Sequence, residues 1–115
     1  MKTDRQIYIR TVLDLYAGMP WSAFPSRRSD RALAGWFYER RIPIDIIEAA
    51  LLLGLARRLC RDDGALPLPA VRSLHYFKPI VEEVAAKPLP SGYIRYLRLK
   101  IRSAAGPQVA QGSKP

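Results

Sequence analysis

Ile42-Pro43-Ile44-Asp45-Ile46-Ile47-Glu48-Ala49-Ala50-Leu51-Leu52-Leu53-Gly54-Leu55-Ala56-Arg57-Arg58-Leu59 is the stretch on which the fold turns. Ile44, Ile47, Leu51, Leu55 and Leu59 recur at helical spacing, and Ile46, Ala50, Leu52 and Leu53 fill most of the remaining circumference. A helix that is apolar nearly all round belongs at the centre of a packed domain. Pro43 suits its first turn, and Arg57, Arg58 and Arg61 suit the negative end of its dipole. The helix is therefore expected to run to about Arg61. Its uncharged run, Ala49 to Ala56, is eight residues long. That is far below the roughly 20 residues needed to span a bilayer, so a core helix is expected and a membrane span is not.

Upstream, Thr3 or Asp4 can cap a helix running to about Tyr16, with Tyr8, Val12, Leu15 and Met19 as its apolar stripe. Gly18 and Pro20 end it. A loop follows in which Trp21 and Phe24 stand beside Arg27 and Arg28. Ser29, with Asp30 behind it, is a natural start for a second helix to about Arg41, with Leu33, Trp36 and Phe37 on its inner face. The short Ile42-Pro43 connection suggests that this helix runs antiparallel to the central one.

Downstream, Asp62 to Pro69 is turn-rich, and Ala70 to Ala86 is helical with Leu74, Phe77, Val81 and Val84 at heptad-like spacing. Pro79 removes a helical hydrogen bond there and should kink or split the segment. Either Ser73 caps a first piece, or Lys78 and Pro79 begin a second. Pro88 and Pro90 stop it, and Ser91 caps a final helix. Residues 104–115 have the composition of a disordered tail. No segment alternates as a strand does. The expectation is all-α: a compact bundle of about five helices forming one domain over residues 1–103.

The chain has 115 residues and a net charge of +9. The surplus is uneven, since residues 91–115 carry five basic groups and no acid. Such a surplus points to a phosphate-rich partner, with nucleic acid, and DNA before RNA, expected ahead of an anionic membrane. The single cysteine, Cys60, excludes an internal disulfide, and Met1 to Arg5 lack the apolar run of a signal peptide. A cytoplasmic location is expected.

Groups able to carry catalysis are scarce. His75 is the one histidine, without metal-ligand spacing around it, and its place beside Tyr76 and Phe77 suggests a half-buried helix residue. Cys60 reads as a small buried apolar residue. Glu82 and Glu83 point about 100° apart on a helix, and Asp62-Asp63-Gly64 reads as a helix-ending turn. None of the seven glycines forms a phosphate-cradling loop. No enzyme activity, cofactor or metal is expected.

The binding signal is concentrated in Ser91 to Arg102. At 100° per residue, Arg95, Arg98 and Arg102 fall within about 60° of arc, and Tyr93, Ile94, Leu97 and Ile101 within a separate arc of about 100°. One face is expected to hold the core while the other offers guanidinium groups to phosphates, with Lys100 adding to them and Arg27 and Arg28 as further contacts. Asn, the usual reader of adenine edges, is absent from the chain. A grip on the backbone with little sequence preference follows. The alternative is a protein-interaction or oligomerisation module, whose basic face meets an acidic partner or whose central helix leaves apolar surface for a homodimer.

Three blocks, Ala34-Gly35-Trp36-Phe37, Ile42-Pro43-Ile44-Asp45-Ile46-Ile47-Glu48-Ala49-Ala50-Leu51 and Arg72-Ser73-Leu74-His75-Tyr76-Phe77, resemble the DnaD-like helical domain of replication-initiation and phage replisome-organiser proteins. The resemblance covers about residues 33–84, and Pro79 departs from it where the family's last helix continues. It implies a small helical domain that binds DNA and self-associates, with a basic C-terminal segment, here Arg95 to Arg102, contributing to the contact. Trp36, Ile47, Leu51, Leu74 and Tyr76 are the matching positions, and the resemblance implies packing roles for them.

Overall fold

The computed structural model describes residues 3–19, 27–59 and 71–113, with side chains described to Ser103. The readings made above for Trp21, Phe24, Cys60, Arg61 and Asp62-Asp63 lie outside the described residues. The described residues form five α-helices and one 3-10 turn: α1 Asp4–Ala17, α2 Arg28–Glu39, α3 Ile44–Leu59, the turn Leu74–Phe77, α4 Lys78–Ala86 and α5 Ser91–Ser113. The backbone of α5 thus stays helical into the segment whose composition is that of a tail. The side chains from Ala104 onward lie outside the described residues.

Central position falls to α3, which buries Ile47 and every residue from Ala49 to Ala56. It packs against α1, α4, α5 and the 3-10 turn. Most of the apolar surface of α3 is thus covered by the chain's own helices. Gly54 sets the spacing on one side, because a Cβ there would lie 2.7 Å from the Phe77 ring and 2.9 Å from Ile80. Pro43 opens the helix, its carbonyl accepting from the N–H groups of Ile46 and Ile47 at 3.0 and 3.2 Å.

Thr3 caps α1 with a reciprocal pair: the Gln6 N–H donates to Thr3 Oγ1 at 3.1 Å, and the Thr3 N–H donates to Gln6 Oε1 at 2.9 Å. Its buried face is Ile9, Val12, Leu13 and Tyr16. The expected stripe shared only Val12 with it, and Tyr8, Leu15 and Met19 are half-buried. The shift arises because α1 serves two neighbours, α2 and α3, so its buried arc faces the gap between them. Tyr8 lies at the edge of that arc, donating its hydroxyl to the Ile42 carbonyl at 2.6 Å. Burial pushes its phenol up from 10.0 to about 12.

α2 packs against α1 and the 3-10 turn. The small residues Ala34 and Gly35 lie in the buried face of α2, next to Leu33 and Phe37. A Cβ on Gly35 would meet the Arg5 guanidinium and touch Ile9, both on α1. Arg41 makes the turn into α3 with a left-handed φ of 59°. Both readings of the Pro79 region are realised. Ser73 caps the 3-10 turn, its Oγ accepting from the His75 N–H at 3.1 Å, and Lys78 starts a new helix with Pro79 in its first turn, where no bond is lost. Leu74, Phe77, Val81 and Val84 are all buried, as their spacing requires.

Candidate nucleic-acid interface

α5 is anchored to α3 by Leu97 and Ile101, which are buried, and by the half-buried Ile94. Pro90 starts it, accepting from the N–H groups of Tyr93 and Ile94 at 3.0 and 3.1 Å, so the chain's own carbonyl opens the helix where a Ser91 cap was expected. Not one acidic residue occurs between Ser91 and Ser113.

The three arginines placed on one arc by their spacing divide into two roles. Arg98 Nη2 lies 3.0 Å from Glu48 Oε1 and ties α5 to α3. Arg95 and Arg102 are exposed and form no ion pair among the described residues. Lys100 holds its ammonium 5.8 Å from the centre of the Tyr96 ring.

Tyr93 departs from the expected core arc. It is 42% exposed and stacks on Tyr96, itself 50% exposed, with ring centres 5.8 Å apart and planes inclined by 26°. Leu99 is 57% exposed on the same helix. Treating tyrosine as a core residue concealed this pair, although its i, i+3 spacing was visible. A groove of about 320 Å³ runs between α3 and α5, with Leu53, Ala56, Arg57, Tyr93, Tyr96 and Lys100 on its walls.

Arg57 is held at the rim of that groove by two bonds to Glu83, 3.0 Å from Nη1 to Oε1 and 2.6 Å from Nη2 to Oε2. The hydrogen bond to Arg57 keeps the Glu83 carboxyl below its ordinary range and raises Arg57 above its own. Arg27 and Arg28 stand exposed at the start of α2. That helix packs on α1 and on the 3-10 turn while α5 packs on α3, so no packing among the described residues joins the two arginine groups.

Sequence reasoning missed Asp30. It is fully buried, accepting from the Arg27 N–H at 3.0 Å, the Ser73 hydroxyl at 2.7 Å and the Leu74 N–H at 3.0 Å. Both carboxylate oxygens are thus partnered, and what the group does is fasten the start of α2 to the start of the 3-10 turn. His75, expected half-buried on a helix, is exposed on that turn with Nε2 3.1 Å from the Ser29 carbonyl. Among the described residues no three His, Cys, Asp or Glu side chains gather to hold a metal, and no helix is long and apolar enough to cross a membrane.

No family model, curated protein or solved structure matches this chain.

Proposed function

We propose that the protein binds nucleic acid, DNA in the first place, along α5, gripping the phosphate backbone with little sequence preference. The observation that carries this reading is an acid-free helix that exposes Arg95 and Arg102, with Lys100 beside a stacked and exposed tyrosine pair. Guanidinium and ammonium groups neutralise phosphates, and an exposed aromatic face stacks on an unpaired base of any identity. Arg98 holds the helix in place, so the contact rests on Arg95, Lys100 and Arg102, and Arg27 and Arg28 are a separate, weaker contribution. The resemblance to DnaD-like domains supports a setting in replication initiation or mobile-element biology.

The test is a titration of labelled single-stranded DNA, duplex DNA and single-stranded RNA at increasing salt, with polyglutamate as a competitor. Binding should fall linearly in log–log form with salt, and single strands should bind more tightly than the duplex. Polyglutamate displacing the oligonucleotide at equal charge would favour an acidic protein partner instead.

A further inference from the structure

A second concavity lies away from α5, between α2 and the segment that starts α4. Ser29, Ala32, Leu33 and Trp36 from α2 face His75 and Lys78 across a cavity of about 310 Å³. The cavity's two sides are tied together by the buried Asp30 carboxylate, which accepts from Ser73 and Leu74, and by the contact from His75 to the Ser29 carbonyl. Its two walls are therefore fixed relative to each other before any ligand arrives.

The charge on those walls is one-sided. The Lys78 ammonium lies 4.6 Å from the centre of the Trp36 ring, and the Arg40 guanidinium lies 4.3 Å from the same centre. Two cations thus converge on one indole, and neither pairs with an acid among the described residues. The ring's π face offsets part of their repulsion, and an anion placed between Lys78 and His75 would offset more. Ala32, Leu33 and Trp36 give the same space an apolar wall. Its volume is at the small end of the range for ligand sites, which suits one flat ring with one oxyanion group.

We propose that this cavity binds a nucleotide unit, with its phosphate held by Lys78 and His75 and its base against Ala32, Leu33 and Trp36. That chemistry has two sources, a free mononucleotide or the phosphorylated end of a strand. The site shares no residue with the α5 surface and stands or falls independently of it.

The experiment follows Trp36 fluorescence in a Trp21→Phe background, so that one indole reports. Adenosine monophosphate, adenosine, inorganic phosphate and a terminally phosphorylated oligonucleotide are titrated separately. The oligonucleotide arm uses an Arg95→Ala/Arg102→Ala protein, which removes the contribution of α5. Saturable quenching by the monophosphate, about tenfold weaker in Lys78→Gln and with adenosine or phosphate alone, is the expected result. Lys78→Gln keeps the aliphatic stem, and circular dichroism checks that it folds. Saturation by the oligonucleotide end alone assigns the strand terminus as the source. Saturation by neither, or equal binding by inorganic phosphate, overturns the proposal.

Discussion

α3 and α5 pack against each other, yet the two helices carry opposite kinds of information. α3 buries nine residues, and its neighbours leave it little surface to display. α5 buries Leu97 and Ile101 among its described side chains and turns Tyr93, Tyr96, Leu99, Arg95 and Arg102 outward. The first helix carries the core, and the second leaves aromatic and basic side chains exposed. The outer face of α5 should therefore tolerate changes that α3 cannot.

The widest gap is expected between two leucines. Leu51→Ala removes a fully buried side chain and should cost about 2–5 kcal/mol in chemical denaturation. Leu99→Ala, on the outer face of α5, should stay within about 0.5 kcal/mol. Similar losses at both sites would break the contrast. Gly54→Ala comes next. The added Cβ presses on the buried Phe77 ring and on Ile80, so a loss of about 1–3 kcal/mol is expected although alanine favours a helix. A stabilised variant would mean that α4 can move away from α3.

A pH scan sharpens the same distinction at the entry to α3. Tyr8 donates to the Ile42 carbonyl as a neutral phenol, and burial raises its pKa from 10.0 to about 12. The folded form therefore disfavours the phenolate. The contribution of Tyr8 is complete below pH 10 and is lost as pH rises toward 12. Denaturant midpoints between those limits should fall less steeply for Tyr8→Phe than for the native chain. A small effect is also expected at the Arg98–Glu48 bridge. Its arginine is more than half exposed, so Arg98→Ala should cost less than about 1 kcal/mol. A larger loss would make α5 depend on its charges for anchorage.

Much of the frame was legible in local pattern. The all-round apolar stretch gave α3 its central place, and the 74, 77, 81, 84 spacing named the buried face around a split at Pro79. What escaped depends on partners distant in sequence. Asp30 resembles an ordinary helix-start acid until Ser73 and Leu74 reach it from more than 40 residues away. Spacing placed Arg98 with Arg95 and Arg102, but only the packing of α5 on α3 could show that Glu48 holds it. Tyr93 was assigned inward because an apolar arc cannot tell a ring that packs from one that stands at its edge. The pairing of α2 with α1 was hidden by a connection whose length says nothing about the left-handed turn at Arg41.

Division of labour between the two helices is tested most directly by one paired measurement on Arg95→Ala/Arg102→Ala. Anisotropy of a labelled single-stranded oligonucleotide is read between about 50 and 200 mM salt, beside the denaturation midpoint of the same protein. The account predicts weaker binding, a log–log salt slope shallower by about 1.4, and an unchanged midpoint. Unchanged affinity and slope with the fold intact would contradict it.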